Sequence, residues 1–283
     1  MSKQLPDQLL ELPGGSIIQH GPYNDRIYLM KLGKGAQESL PVDLIGMASN
    51  YGYSKIFVKI PAGCAENFEQ AGYVDEAVIP RLYNGSEAGI FMGYYLTEAR
   101  STEKDVTALD EILQLARDKA ITTIRPLPEG KFLLRQCREE DVEEMATIYG
   151  TLFKSYPFPI HDPAFLLDSM QKNVDYFGAE SNGELIALSS AEIDENGQNA
   201  EMTDFATLPE WRGNGLAIHL LMRMEKEVAQ KRIKTSYTIA RAISAGMNIT
   251  FAKLGYSYGG RLKNNTNISG DINSMSIWSK SLS

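Results

Sequence analysis

One stretch, Glu201–Ala217, limits the folds open to this chain more than any other. Its letters, EMTDFATLPEWRGNGLA, join a strand to a glycine-rich turn, and an amphipathic helix begins inside the glycines. Glycine has no Cβ to keep a ligand from the backbone, and a helix N-terminus presents free N–H groups and the positive end of the helix dipole. The stretch therefore predicts either an anion cradle suited to a pyrophosphate or a plain turn between a strand and a helix.

Antiparallel hairpins precede this stretch. Asn-Gly pairs at 182–183 and 196–197 each separate two runs of alternating apolar residues, which is a strong hairpin signal. A dinucleotide-binding fold instead needs a βαβ unit and a third glycine after Gly213 and Gly215, and a P-loop needs G-x-x-x-x-G-K-[ST]. The sequence has neither pattern, so both phosphate-binding folds are excluded.

A boundary is predicted at Thr122–Lys131, TTIRPLPEGK, where two prolines and a glycine follow a helical pattern. That helix is expected over Thr102–Ala120, opened by a capping box of Thr102 or Ser101 with Asp105. Two domains follow, residues 1–125 and residues 131–283. FEQAGY at 68–73 recurs as FAKLGY at 251–256, each after a strand and within a short helix, so the first domain is predicted to be a partial duplicate of the second.

Charge and composition exclude several partners. The chain of 283 residues has a net charge of −8, which argues against nucleic acid, and it lacks the run of about 20 apolar residues that a membrane span needs. The N-terminus has no apolar signal segment, and two cysteines make neither a disulfide framework nor a metal cluster. We therefore expect a cytoplasmic protein that binds no metal, no membrane and no nucleic acid.

The charges are unevenly distributed along the chain. Residues 131–204 carry 5 Lys+Arg against 15 Asp+Glu, whereas residues 205–283 carry 11 against 4. Either a binding site has one acidic and one basic wall, or the two segments neutralise each other within one domain.

The pattern R-x-x-G-x-A at Arg212, Gly215 and Ala217, after a strand and before a helix, resembles motif A of the GNAT N-acetyltransferases. The order of elements over 131–283 is similar to that family as well. The resemblance implies an α+β fold, with a mixed, mostly antiparallel twisted sheet flanked by helices, preceded by a degenerate α/β half of the same kind. It also implies acetyl-CoA as the donor.

The same resemblance assigns the donor-binding residues. The pyrophosphate is expected on the backbone of Arg212, Gly213, Asn214, Gly215, Leu216 and Ala217. The pantetheine is expected to pair like an extra strand along Phe205, Ala206 and Thr207, with Asn248 on its other side.

More narrowly, the chain resembles the beta-lysine N6-acetyltransferases, through its SYPFPI loop at 155–160 and its TDFATLPEWRGNGLA segment. That family makes the compatible solute N6-acetyl-beta-lysine beside a lysine 2,3-aminomutase. Two alternatives stay open: acetylation of another small cationic amine (a polyamine, lysine or an aminoglycoside), and a non-catalytic acyl-CoA-binding regulator. The N-terminal half is expected to be structural or to form a homodimer.

Acetylation of an amine requires a base, because a lysine-like amine has a pKa near ~10.4 and must lose a proton before it attacks. Glu201 occupies the position of the family's glutamate base, although an exposed strand glutamate is the simpler interpretation. Strict alternation would place Glu201, Thr203 and Phe205 on one face of the strand and Asp204 on the other. The resemblance assigns the oxyanion donor to the backbone N–H of Phe205.

Other side chains are weaker candidates. Asp204 and Glu192 are predicted to form an acidic wall for the amine, and Tyr156 and Phe158 to cover it, unless they merely cap and pack. Phe251 stands where many family members carry the tyrosine that protonates the leaving thiolate, and Tyr256 is expected in the core or at a strand edge. His20, His161 and His219 are expected to be ordinary surface or core residues.

Overall fold

A computed structural model describes residues 7–282, and within them one sheet of 13 strands runs through both halves of the chain. The strand order is β1-β2-β3-β4-β6-β5-β12-β13-β11-β10-β9-β8-β7. The elements of the N-terminal half are β1 (Gln8–Leu12), β2 (Ser16–Gly21), β3 (Arg26–Lys31), α1 (Leu40–Tyr51), β4 (Lys55–Pro61), α2 (Ala65–Gln70), β5 (Val74–Tyr83), β6 (Glu87–Tyr95), α3 (Glu98–Ser101) and α4 (Val106–Lys119).

The C-terminal half follows a connection without regular structure. Its elements are β7 (Leu133–Gln136), α5 (Val142–Leu152), α6 (Pro163–Lys172), β8 (Val174–Ser181), β9 (Glu184–Asp194), β10 (Asn199–Thr207), α7 (Leu216–Gln230), β11 (Thr235–Arg241), α8 (Ala245–Lys253), β12 (Ser257–Ile268) and β13 (Asp271–Ser281). The two predicted hairpins are confirmed, because β9 pairs antiparallel with both β8 and β10 across the Asn-Gly turns. None of the helices in residues 7–282 combines the length and the apolar character needed to cross a membrane.

The two halves repeat one topology. The order β1-β2-β3-β4-β6-β5 returns as β8-β9-β10-β11-β13-β12, and in each half one parallel pair lies among antiparallel ones. The parallel pairs are β3 with β4 and β10 with β11, and each is bridged by a helix, α1 or α7. The fold is therefore the predicted α+β arrangement, with a degenerate copy in front of the C-terminal half.

A narrow seam joins the halves, where β5 pairs with β12 through Ala77 and Gly260. Gly260 has φ +141°, and a Cβ there would lie 2.3 Å from the Glu76 carbonyl oxygen, so only glycine fits. Lys55 and Glu76 of the N-terminal half hold the backbone of Lys263 in β12: Lys55 Nζ donates to its carbonyl (2.7 Å), and its N–H donates to Glu76 Oε1 (2.6 Å). The division into domains 1–125 and 131–283 stays a prediction, since both parts share this sheet.

One detail of the first half was predicted wrongly. The helix expected from Thr102 begins at Val106, and Thr102 ends the short helix α3 in an extended conformation. Asp105 precedes α4 with φ +56° and its side chain makes no capping hydrogen bond. The predicted capping box is absent, and α4 is held instead by packing, because Leu109 and Ala116 are buried.

Candidate active site

The segment Arg212–Ala217, here called the cradle, leads directly into α7. Gly213 and Gly215 have φ +81° and +77°, a backbone region that L-residues with a Cβ rarely adopt. Gly215 is the N-cap residue, and no side chain caps the helix, so the N–H groups of its first turn have no intrahelical partner. Buried Leu216 and Leu220 fix the helix to the sheet, which leaves this positively polarised end facing outward.

A cavity of about 580 Å³ adjoins the cradle. Its far wall is formed by α8, by the end of α4 and by the connection between the halves. His219 Nε2 on α7 bonds to the Arg125 carbonyl of this connection (2.9 Å). Lys119, Arg125 and Lys253 are the cationic residues of this wall. Free N–H groups and cations around one cavity favour an anion such as a pyrophosphate.

Strand β10 carries a β-bulge between Thr203 and Ala206, and Asp204 within it has φ +52°. The extra residue breaks the alternation of side chains, so Asp204 lines the same cavity as Glu201. The prediction that Asp204 faces away from Glu201 is therefore wrong. Beyond Glu201, which aligns with Tyr237, β10 and β11 no longer pair, and a gap opens between them.

The gap leads into a second cavity of about 220 Å³, here called the acceptor cavity, which lies between the halves. The C-terminal half contributes the acidic residues Glu192, Glu201 and Asp204, together with Phe205, Tyr156 and Phe158. The N-terminal half contributes Gln19, Arg26, Tyr28, Phe57 and Lys59. The predicted acidic residues thus come together, and the first half, expected to be structural, forms one wall of the cavity.

The carboxylates of this cavity are hard to ionise. Burial and the neighbouring charge of Glu201 raise the pKa of Glu192 to about 8. Burial also raises the pKa of Glu201, while the Lys59 ammonium and the Tyr237 hydroxyl favour its charged form. Lys59 Nζ itself donates to the Tyr237 hydroxyl (2.8 Å). A carboxyl with a raised pKa in a partly enclosed cavity is suited to accepting a proton near neutral pH.

Asp204 differs from Glu192 because its oxygens have hydrogen-bond partners, as Glu201 has in the Tyr237 hydroxyl and the Ile239 backbone N–H. The Tyr156 hydroxyl donates to Oδ1 (2.7 Å) and the Ser190 hydroxyl donates to Oδ2 (2.5 Å). Burial raises the pKa of Asp204, and these hydrogen bonds oppose that shift. Asp204 therefore anchors the Tyr156 loop across the bulge.

The aromatic residues near the bulge separate into two sets. Phe251 is fully buried and meets Phe205 edge-to-face, with ring centroids 5.7 Å apart. Tyr256 lies in the core as expected, and its hydroxyl accepts a hydrogen bond from the Ser236 hydroxyl (2.8 Å). This tyrosine does not line the acceptor cavity. The tyrosines that do line it are Tyr28 and Tyr156.

Asn248 and the histidines have structural partners. Asn248 is 1% exposed; its amide nitrogen donates to the carbonyls of residues 241, 242 and 244, and its oxygen accepts from Trp278 Nε1. Its side chain thus closes the loop between β11 and α8. His20 Nδ1 bonds to the Tyr53 hydroxyl, and His161 is exposed. Among residues 7–282 no group of three His, Cys, Asp or Glu is arranged to hold a metal.

Sequence reasoning missed the N-terminal residues of the acceptor cavity. Arg26, Tyr28 and Met30 share one face of β3 because they alternate, and Phe57 and Lys59 do so on β4. The available signal was a charged residue inside an apolar strand, such as Lys59 in KIFVKIP. That signal shows that a charge needs a partner, yet it does not show which one.

Comparison with known proteins places these features in context. The family model described as Acetyltransferase (GNAT) family matches residues 140–256. A beta-lysine N(6)-acetyltransferase of Methanococcus maripaludis is 40% identical over 97% of this chain and 98% of its own length, and one of Methanosarcina mazei is 32% identical over 88% and 98%. The N-acetyltransferase YodP of Bacillus subtilis is 32% identical over 94% and 96%.

Proposed function

We propose that this chain, which belongs to the acetyltransferase (GNAT) family and is an N-acetyltransferase, transfers acetyl from acetyl-CoA to the N6 amine of beta-lysine. The choice of beta-lysine as the acceptor rests on one observation: the similarity to the two relatives named for beta-lysine extends over 97% and 88% of the chain. It therefore includes the N-terminal strands that form one wall of the acceptor cavity. The product would be N6-acetyl-beta-lysine, a compatible solute, made in the cytoplasm beside a lysine 2,3-aminomutase.

The cradle fits the donor. Its uncapped helix start and two glycines of positive φ leave the backbone of Arg212–Ala217 open to a pyrophosphate, and the cations of the same cavity favour its charge. Acetyl-CoA would supply an activated acetyl group as a thioester. The free edge of β10 from Phe205 to Thr207, where β11 has diverged, supports pairing with the pantetheine. Asn248 would act on this ligand through the loop that it closes.

Glu201 is the proposed general base. It lies at the last paired position of β10 and β11, at the entrance of the gap, and its raised pKa suits it to take a proton from an ammonium. Glu192 and Asp204 would hold the cationic acceptor, under the cover of Tyr156 and Phe158. The backbone N–H of Phe205, within the bulge, is the proposed donor to the acetyl oxygen as that atom gains negative charge.

The leaving thiolate needs little assistance, since a thiol has a pKa near ~8.5. Phe251 has no proton to give, which is the one observation that favours the second candidate, a non-catalytic acyl-CoA-binding regulator. Turnover separates the two functions.

The test is thiol release from acetyl-CoA with a panel of amines: beta-lysine, lysine, a polyamine and an aminoglycoside. We expect beta-lysine to give the highest kcat/KM. Glu201→Gln should lower kcat about 100-fold or more and leave the affinity for CoA unchanged, because general-base catalysis contributes about 10² to 10⁴. Glu195→Gln, in the exposed turn before β10, is the matched control and should keep full activity.

Two results would contradict the proposal. Binding of CoA without turnover of any amine would establish the regulator, and unchanged turnover in Glu201→Gln would remove Glu201 as the base.

A further inference from the structure

The acceptor cavity contains a cation that the proposed mechanism does not use. Arg26 on β3 is 4% exposed, lines the cavity and forms no ion pair with a carboxylate among residues 7–282. Its Nη1 donates to the Asn265 carbonyl (2.6 Å) and to the Thr266 hydroxyl (3.1 Å), both neutral groups. Its Nε has no hydrogen-bond partner in the described part of the chain. A buried guanidinium normally has an anionic partner, and here that partner is missing.

The surroundings of Arg26 increase its need for an anion. The rings of Tyr28 and Phe57 lie 5.4 Å and 5.6 Å from its guanidinium carbon, so apolar faces replace water around the charge. Burial and the nearby charge of Arg100 lower the pKa of Arg26 to about 10. Arg100 is itself paired with Asp25, so it adds positive potential without neutralising its neighbour.

A second unsatisfied group stands on the same wall. Gln19 is 1% exposed and lines the cavity, and its Nε2 donates to the Pro157 carbonyl (3.1 Å), which fixes the orientation of the amide. Its Oε1 has no partner among the described residues. One wall therefore holds an unpaired cation and an unpaired acceptor, which complement a carboxylate and a neighbouring ammonium.

The other cations of the cavity are less suited to this role. Lys59 Nζ donates to the Tyr237 hydroxyl and favours the charged form of Glu201, so its charge already acts on the acidic wall. Arg241 is partly exposed, so an anion there competes with water.

We propose that Arg26 binds the carboxylate of the acceptor and that Gln19 Oε1 accepts from its second ammonium, so that the N-terminal half selects an amino-acid-like diamine. The inference rests on the proposed acetylation of an amine at Glu201. It assigns the two ends of the substrate to the two halves of the protein: the reacting amine to the acidic wall and the zwitterionic end to the wall of β2 and β3. Polyamines and aminoglycosides have no carboxylate, and they are thereby disfavoured.

The first experiment uses the wild-type protein, so it does not depend on how a variant folds. We compare kcat/KM for beta-lysine, for its carboxamide and for 1,4-diaminopentane, which lacks the carboxylate altogether. Loss of a charge-assisted hydrogen bond to a buried group should lower kcat/KM about 10- to 100-fold for both analogues. Equal kcat/KM for all three amines would overturn the inference and leave acetyl transfer to an amine intact, whereas failure of every amine would overturn both proposals.

The second experiment uses Arg26→Met, which keeps an apolar stem between Tyr28 and Phe57. This variant should lose the preference for beta-lysine over its carboxamide, and Arg26→Lys should restore part of it. Lys59→Met is the matched control: it changes the overall rate, yet the preference ratio should stay as in the wild type. A ratio that is unchanged in Arg26→Met, or lost equally in Lys59→Met, would refute the role of Arg26.

Discussion

The two halves of this protein share a strand order and a glycine pattern, and they use the pattern in opposite ways. Each half has a G-x-G segment between its parallel strand and the following helix, Gly33-Lys34-Gly35 before α1 and Gly213-Asn214-Gly215 before α7. In the C-terminal half a Cβ on Gly213 would have no neighbour within 4 Å, so the backbone is open. In the N-terminal half a Cβ on Gly33 would lie 2.1 Å from the Gly14 carbonyl oxygen.

The G-x-G segment of the N-terminal half is closed because the backbone of residues 14–16 packs against it. The N–H of Gly33 donates to the Ser16 hydroxyl (2.9 Å), and that of Gly35 donates to the Gly14 carbonyl (3.1 Å). The helix that follows, α1, has Pro41 and Asp43 in its first turn, so one N–H is missing and a carboxylate already lies near the positive end of the dipole. Both glycine N–H groups of this turn are therefore already bonded within the chain.

The two turns therefore differ in whether their backbone donors already have partners within the chain. The first half, whose glycine turn is closed, instead forms one wall of the acceptor cavity. The duplicated topology therefore places one cavity beside the open turn of the second half and another cavity between the two halves.

The largest effect is expected at the seam, on which this shared site depends. Lys55 and Glu76 form an ion pair whose side chains are 0% and 1% exposed, and both bond to the backbone of β12. Lys55→Met leaves the Glu76 carboxylate buried without its cationic partner, which should lower the free energy of unfolding by about 3 to 5 kcal/mol. Denaturant unfolding, followed by far-UV and near-UV circular dichroism, measures the loss.

Two controls refine this prediction. The double variant Lys55→Met/Glu76→Gln removes both charges and should recover part of the loss, while Lys172→Met, in an exposed pair with Asp168, should cost less than about 1 kcal/mol. Unfolding in two separate transitions, with only one affected, would show that the halves are independent and that the seam does not unite them.

The cradle and the hairpins could be predicted because their signals are local. The Asn-Gly turns and the alternation around them act within ten residues, and Gly213 and Gly215 reveal a positive-φ turn through their residue type alone. Glu201 was named through the family resemblance, and Glu192 and Asp204 could be added because they lie with it on the neighbouring strands of one hairpin.

The remainder depends on contacts that local patterns do not record. The bulge at Asp204 adds one residue to β10 with no glycine to mark it, and it reverses the direction of one key side chain. Arg26 bonds to the Asn265 carbonyl across 239 positions of sequence, and Lys59 to Tyr237 across 178. Such pairs follow from how the two halves pack, and therefore the second wall of the cavity was not foreseen.

A substitution in the open glycine turn of the second half has the next largest expected effect. Gly215→Val places a β-branched side chain at φ +77° and beside the free N–H groups, so the dissociation constant for CoA should rise about 100-fold, or ~2.7 kcal/mol. Gly52→Val is the matched control, because Gly52 has φ +72°, ends α1 in the first half and also has open space around it. Calorimetric titration with CoA measures both variants. An equal loss of affinity in the two would trace the effect to backbone strain and would refute the cradle.

The smallest effect concerns Lys59 of the first half, whose positive charge acts on the proposed base Glu201. Glu201 must be deprotonated to act, and burial raises its pKa, so kcat/KM should increase with pH along a limb that lies above the ordinary glutamate value of ~4.3. The Lys59 ammonium favours the carboxylate, and therefore Lys59→Met should raise the pKa of Glu201 further and move this limb upward by roughly one pH unit. On the limb this lowers kcat/KM about tenfold relative to the wild type, and above it the two proteins should converge.

Lys59→Arg keeps the charge and should keep the limb near its wild-type position. A limb that stays in place in Lys59→Met, or moves to lower pH, would show that the second half sets the protonation of its base alone and that the first half contributes only shape.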